Sequence, residues 1–101
     1  MSLADELAAD RRLVLLRAMA EVPGWSMNEM VAKTAVAHFG HRVGSDIVRA
    51  DLQYLYDHGL VRIEKLQAER GELWLAELTG GGDDVAAGRR VVPGIRPRRP
   101  E

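Results

Sequence analysis

The stretch between residues 45 and 66 constrains the fold more than any other part of the sequence. Its apolar residues recur at steps of four and three positions, at Val48, Leu52 and Leu55. This spacing predicts one apolar stripe on a helix. We expect Ser45 to cap the start of that helix and Gly59 to end it in the left-handed conformation. Because an alternating apolar segment begins at Leu60, a strand is predicted directly after the helix over residues 45–58.

Two further helices are predicted before this stretch. The first spans residues 4–22 and ends at Pro23-Gly24, because proline disfavours helical geometry in the residue before it. The second runs from Ser26 to about residue 39, with Ser26 and Glu29 as a capping box. The expected core positions of the first helix are Leu7, Val14, Ala18 and Val22, with Leu15 and Met19 beside them. Those of the second are Met27, Met30, Val31, Ala35 and Phe39.

A hairpin and a short helix are predicted after the stretch. Two segments alternate apolar and polar residues, and they are centred on Val61/Ile63 and Leu73/Leu75. The polar residues 67–71 form the loop between them. Thr79 is expected to cap a short helix over residues 83–87, although three glycines at 80–82 disfavour its start.

Helix, helix, third helix and hairpin in this order define a winged helix-turn-helix. We therefore predict an α+β fold that is mostly helical, with three helices, a two-stranded wing hairpin and a short C-terminal helix. The 101 residues are enough for one small domain. We place that domain at residues 1–88 and expect the Arg- and Pro-rich residues 89–101 to be a flexible tail.

The charge is unevenly distributed along the chain. Five of the fourteen basic residues follow position 88, so residues 1–88 hold nine basic and fourteen acidic side chains, a net charge of −5. Because nucleic-acid-binding domains are usually basic, residues 1–88 are not expected to bind DNA strongly by electrostatic attraction alone. The arginine-rich tail is the alternative source of electrostatic DNA binding.

Several classes of protein are disfavoured by the composition. The absence of cysteine excludes a disulfide framework and thiolate metal sites, and His38 and His41 alone do not complete a metal site. No nucleophile, base and orienting residue recur at a recognisable spacing, so we expect no enzyme and no cofactor. No apolar run reaches the length of a membrane span and no signal peptide is apparent, so the expected location is the cytoplasm.

The candidate site residues follow from the winged-helix prediction, in which the third helix enters the major groove of DNA. Arg49 could make paired hydrogen bonds to guanine, and Gln53 could make them to adenine. Ser45 could bond to a phosphate, and Asp46 can accept a hydrogen bond from cytosine. Flanking and wing positions add further basic candidates for the DNA backbone or the minor groove, namely Lys33, Arg42, Arg62 and Arg70. The competing interpretation is that each of these residues is ordinary solvated surface.

The sequence also resembles known proteins. The stretch Val48-Arg-Ala-Asp-Leu-Gln-Tyr-Leu-Tyr-Asp-His-Gly-Leu-Val61 resembles the recognition-helix end of ArsR-like winged-helix proteins. Nearly the whole chain is similar to small winged-helix proteins of Mu-like bacteriophages and prophages. The motifs that carry this similarity are Ala4-Asp-Glu-Leu-Ala-Ala-Asp-Arg-Arg-Leu-Val-Leu-Leu-Arg17, Pro23-Gly-Trp-Ser26, Gly40-His-Arg-Val43 and Asp84-Val-Ala-Ala-Gly88. The resemblance implies DNA binding as a dimer, while the lack of cysteine sets the chain apart from metal-sensing ArsR repressors.

Two hypotheses of function remain open from the sequence. The first is a DNA-binding winged-helix protein that regulates transcription in a phage or prophage and contacts double-stranded DNA through residues 45–58 and the wing. The alternative is a protein-interaction module in phage assembly or DNA handling, with a phage protein as its partner, and the net charge of −5 favours it. A homodimer is expected to form through the first helix and the segment after the wing, with Leu13, Leu16 and Val85 on its surface.

Overall fold

The computed structural model describes residues 1–99 and has a small α+β fold that is mostly helical. A short 3-10 turn at Pro23–Trp25 follows the first helix. The helices are α1 (Leu3–Glu21), α2 (Glu29–His38), α3 (Ser45–Asp57) and α4 (Gly80–Ala87). The strands are β1 (Ser26–Asn28), β2 (Val61–Ala68) and β3 (Gly71–Leu78). Within residues 1–99, none of the helices has the length and apolar character that crossing a membrane requires.

The sheet has three antiparallel strands in the order β1-β3-β2, and the sequence predicted only two. The unpredicted strand is β1, in which Met27 lies opposite Ala76 of β3. Ser26 therefore does not cap α2. Asn28 does so instead, because its side-chain oxygen accepts hydrogen bonds from the backbone N–H groups of Met30 and Val31. The capping box predicted at Ser26 and Glu29 is wrong for this reason.

The buried face of α2 differs from the prediction. Ala32 and Val36 face the core, whereas the predicted core residues Met30, Val31 and Phe39 are exposed, Phe39 by 64%. The prediction assigned these residues to the same helical face as Met27, but Met27 lies in β1 and does not mark a face of α2. Met27 is buried as predicted, but it reaches the core from β1.

The buried face of α1 also differs from the prediction. Leu15 and Met19 are buried as predicted, and Val14, Ala18 and Val22 are half-buried against the core. Leu7 is instead 44% exposed, and Leu13 and Leu16, which were not among the predicted core positions, are buried. Apolar residues surround most of this helix, so their spacing does not define one face. Leu13 and Leu16, together with Val85 of α4, are buried in the core of a single chain and are not available as a dimer surface.

Helix α3 follows its prediction closely. Val48, Leu52 and Leu55 are buried, and Gly59 has a φ of +72° where the chain leaves the helix. The start is the exception, because the N-cap is Gly44 and Ser45 is already the first helical residue. Since glycine has no side chain, this helix start has no side-chain cap.

The hairpin turn is shorter than predicted, because β2 continues to Ala68 and β3 begins at Gly71. Thr79 caps α4 as predicted by accepting a hydrogen bond from the backbone N–H of Gly82. This helix includes the three glycines because it packs tightly on the chain before β2, where a Cβ at Gly82 would overlap the Leu60 carbonyl. Close packing therefore outweighs the low helix propensity of glycine.

Residues 89–99 lie against the rest of the protein, in contrast to the flexible tail expected from their composition. Val92 and Ile95 are buried in the core. The Tyr54 hydroxyl donates to the Pro93 carbonyl at 2.6 Å, and the backbone N–H of Arg96 donates to the Ala9 carbonyl at 3.1 Å. These buried side chains and hydrogen bonds together anchor this proline-containing segment. The end of the predicted tail, residues 100–101, lies outside the described residues.

A buried ion pair joins α3 to α1. The Asp51 carboxylate is only 2% exposed and accepts from Arg11 Nε at 2.6 Å and Arg12 Nε at 3.1 Å. Both guanidinium groups are mostly shielded from solvent. The aspartate is therefore a fixed attachment point between the two helices.

We expect Asp51→Ala to lower the free energy of unfolding by about 3 kcal/mol, because it leaves two shielded guanidinium groups without their shared carboxylate. Urea unfolding followed by circular dichroism measures this change. The matched control is the exposed Asp57→Ala, whose effect is expected to stay within about 0.5 kcal/mol. Equal effects of the two substitutions would contradict a structural role for the buried pair.

Candidate nucleic-acid interface

The predicted site residues lie on α2, the connection after it, α3 and the hairpin. The chain passes from α2 to α3 through residues 39–44, where the backbone N–H of His41 donates to the Val36 carbonyl at 2.8 Å. Lys33 is on α2 and Arg42 is in the connection. Ser45, Asp46, Arg49 and Gln53 are on α3, Arg62 is on β2, and Arg70 is in the hairpin turn. Val43, between Arg42 and Gly44, packs against the core.

Arg49 is held by other residues and does not extend freely from α3. Its Nε and one terminal nitrogen donate to the two carboxylate oxygens of Glu29, each at 2.8 Å. The same terminal nitrogen donates to the Glu72 carbonyl at 2.9 Å. Its side chain is 35% exposed, so it keeps one accessible side. A guanidinium in this arrangement cannot make a two-bond contact to guanine without leaving Glu29.

Glu29 is the buried acceptor at the centre of this arrangement. Besides both bonds from Arg49, its carboxylate accepts the backbone N–H of Trp74 at 2.7 Å. The hydrogen bonds from Arg49 lower the pKa of Glu29, burial opposes them, and the Trp74 N–H adds to the lowering. The same contact raises the pKa of Arg49. Glu29 therefore stays ionised and joins α2, α3 and β3.

Two cations contact the face of the Trp74 ring. The Arg49 guanidinium lies 4.9 Å and the Lys65 ammonium 4.7 Å from the ring centroid. The indole is buried, and within residues 1–99 its N–H has no hydrogen-bond partner. Sequence analysis did not identify this cluster, although Lys65 and Trp74 are cross-strand partners in the hairpin.

The outward surface of α3 is acidic. Asp46 and Asp57 are both exposed, at opposite ends of the helix. The Gln53 side-chain amide donates to the Asp57 carboxylate at 2.9 Å, so this predicted base-reading group already has a partner. Ser45 is exposed at the first position of the helix. Of the four predicted residues on α3, only Ser45 thus offers a polar group that is neither acidic nor bonded to another side chain.

Three of the predicted cations form no ion pair within residues 1–99. They are Lys33, Arg42 and Arg70. Arg62 has only a loose contact of 3.8 Å with Glu77, and both side chains are largely exposed. Such a contact contributes little to stability and is easily exchanged for another anion.

Other cations within residues 1–99 are engaged in ion pairs. Arg89 pairs with Asp83 and Asp84. The Arg96 guanidinium donates to Asp10 at 2.9 Å, and His41 Nε2 lies 2.7 Å from the same carboxylate. Burial acts to raise the pKa of Asp10, but the contacts with His41 and Arg96 outweigh it and lower the pKa. Arg96 therefore anchors the C-terminal segment to α1.

The lowered pKa of Glu29 predicts a pH dependence of stability. The unfolded chain binds the proton more tightly than the folded one, so the contribution of Glu29 is complete above about pH 4.3, its ordinary pKa. It is lost as the pH falls through the lower pKa of the folded state. We expect Glu29→Gln to reduce the slope of unfolding free energy against pH between about pH 5 and 3.

Urea unfolding at a series of pH values measures this slope. Glu69→Gln in the exposed hairpin turn is the matched control and should leave the slope unchanged. A parallel, pH-independent loss of stability in Glu29→Gln would show that the carboxylate is not selectively stabilised in the folded state.

Comparison with known proteins places the chain among phage proteins. It is 35% identical to protein gp26 of Escherichia phage Mu over 96 residues, which cover 95% of each chain. It is 33% identical to a protein of Haemophilus influenzae over 98 residues, which cover 92% of each chain. No protein-family model matches the sequence. These two matches confirm the predicted similarity to proteins of Mu-like phages. The names of both relatives state no activity, so the ArsR-like assignment remains a prediction.

Proposed function

The chain belongs to the family of the phage Mu protein gp26, and we propose that it is a DNA-binding winged-helix protein that regulates transcription in a phage or prophage. One observation carries the proposal. Three cations outside the ion pairs of residues 1–99, Lys33, Arg42 and Arg70, lie on the helix, connection and hairpin that flank α3. In a winged helix, these are the elements that adjoin the DNA backbone beside the recognition helix.

The order of the elements supports the winged-helix part of the proposal. Two helices joined by residues 39–44 precede a hairpin, and α3 lies between the connection and the hairpin in sequence. The additional strand β1 pairs with β3 and secures the hairpin against the start of α2. The hairpin is then a fixed wing, whose turn at Arg70 projects beyond the core.

The contacts that we propose keep the predicted phosphate contacts and change the predicted roles of Arg49 and Gln53 on α3. Lys33, Arg42 and Ser45 contact phosphates on one side of α3, and Arg70 contacts a phosphate or the minor groove on the other. Gln53 reads a base only after it leaves Asp57. Arg49 remains hydrogen-bonded to Glu29 and thereby positions α3. Most of the affinity in this arrangement comes from phosphate contacts, with little direct base reading.

Fluorescence anisotropy of a labelled generic duplex at several salt concentrations tests this proposal. The variant Lys33→Ala/Arg42→Ala/Arg70→Ala removes three phosphate contacts. We expect weaker binding and a shallower dependence of log affinity on log salt, by about 0.9 for each lost contact.

A matched control removes three exposed arginines of the C-terminal segment by Arg89→Ala/Arg90→Ala/Arg99→Ala. Under the proposal it binds the duplex like the unsubstituted protein. If this control loses the affinity instead, the C-terminal arginines hold the duplex. If the unsubstituted protein does not bind at low salt, the DNA-binding proposal fails.

A second candidate function is the protein-interaction module, and the acidic outer surface of α3 favours it. Asp46 and Asp57 repel phosphates but suit a basic partner. The substitution pair Asp46→Asn/Asp57→Asn separates the two functions, because it removes this repulsion without adding a cation. Tighter duplex binding by this variant supports DNA contact at α3. If duplex binding is unchanged and the variant no longer captures a phage protein from nuclease-treated lysate, the protein-interaction function is supported.

A further inference from the structure

The outer edge of β2 has no neighbouring strand among the described residues. The sheet order β1-β3-β2 places this strand at one edge, and β2 is eight residues long, whereas β1 on the opposite edge has three. From Arg62 to Ala68 every side chain except the half-buried Ile63 is exposed. A long, exposed edge strand presents a row of backbone groups that another strand can pair with.

The direction of these backbone groups follows from the register of the hairpin. The backbone N–H of Thr79 donates to the Leu60 carbonyl at 3.1 Å, one position before the ladder begins with Val61 opposite Leu78. Because hydrogen-bonded pairs alternate along an antiparallel ladder, the even-numbered residues of β2 bond to β3. The N–H and C=O groups that point outward therefore belong to Val61, Ile63, Lys65 and Gln67. Val61 is only 2% exposed, so the accessible groups are those of the other three residues.

We propose that this edge pairs with the same edge of a second copy, in antiparallel orientation about a two-fold axis at Ile63. Such an axis is perpendicular to the sheet, so the helix-covered faces of both copies lie on the same side. Ile63 then lies opposite Ile63 of the partner subunit. Arg62 of each copy lies opposite Glu64 of the other, which gives two cross-strand pairs of opposite charge on the outer face.

Charge selects this register over its neighbours. An axis at Glu64 places two glutamates opposite each other, and an axis at Lys65 places two lysines opposite each other. An axis at Leu66 brings no opposite charges together. Charged residues on an edge strand usually prevent pairing. Here their signs alternate, so a second copy in one register neutralises them.

The helix-covered side of the same edge offers an apolar centre for the interface. Tyr56 of α3 is 50% exposed and lines one surface depression with Gln53, Ile63 and Lys65. In the proposed dimer the two Ile63 side chains meet on the axis, and the Tyr56 side chains flank them. The interface thus combines the two backbone hydrogen bonds between the Ile63 residues, an apolar centre and two charge pairs.

This inference replaces the dimer surface expected from the sequence, whose residues Leu13, Leu16 and Val85 are buried. It does not rest on DNA binding, because the partner is a second copy of the same chain. Its test uses no nucleic acid, so failure of the dimer and failure of the DNA-binding proposal give separate results.

Sedimentation velocity of the full chain over a concentration series tests the dimer. We expect a concentration-dependent dimer that Arg62→Glu weakens about tenfold or more, because two opposite-charge pairs become two glutamate pairs. The charge swap Arg62→Glu/Glu64→Arg restores opposite charges in this register and should restore the dimer. Circular dichroism confirms that each variant is folded.

Arg70→Glu is the matched control, because it makes the same charge change in the hairpin turn, outside the pairing. We expect it to dimerise like the unsubstituted protein. The proposal is overturned by a monomer at all concentrations, by equal weakening in Arg62→Glu and Arg70→Glu, or by a charge swap that fails to restore the dimer.

Discussion

The carboxylate of Glu29 is the interaction on which the site depends. It receives two bonds from Arg49 and one from the backbone of Trp74, so one buried anion fixes α2, α3 and the hairpin relative to one another. Burying an ion pair is favourable only when hydrogen bonds satisfy both groups, and here they do. The consequence for function is direct. Arg49, which was predicted from the sequence to read a base, is needed to hold α3 in place.

The distribution of charge leaves few groups for an anionic partner. Arg11 and Arg12 form ion pairs with the buried Asp51, and Arg96 forms one with the half-buried Asp10. The cations outside such pairs that flank α3 are few, and the outer surface of α3 is acidic. Contact with DNA would therefore depend on a small number of phosphate bonds around α3. The same limit makes a basic protein the natural second candidate for this surface.

Local sequence signals predicted the features that depend on neighbouring residues. The stripe of Val48, Leu52 and Leu55, the left-handed Gly59 and the Thr79 cap are all present. The features that were missed depend on contacts between residues distant in sequence. Strand β1 exists because β3, nearly fifty residues later, pairs with it. Residues 89–99 are ordered because Val92 and Ile95 enter a core built by other elements, and Glu29 meets Arg49 only in the folded chain.

The most direct test of this account is a heteronuclear NMR titration of the full chain with a generic duplex at low salt. We expect shifts in the backbone signals of Lys33, Arg42, Ser45 and Arg70. The Arg49 Nε–H signal should stay unchanged, because this group remains hydrogen-bonded to Glu29. Release of Arg49, seen as a large shift of its Nε–H signal, would restore it as a base-reading residue. Shifts confined to residues 89–99, or no shifts at all, would contradict DNA contact through α2, α3 and the hairpin.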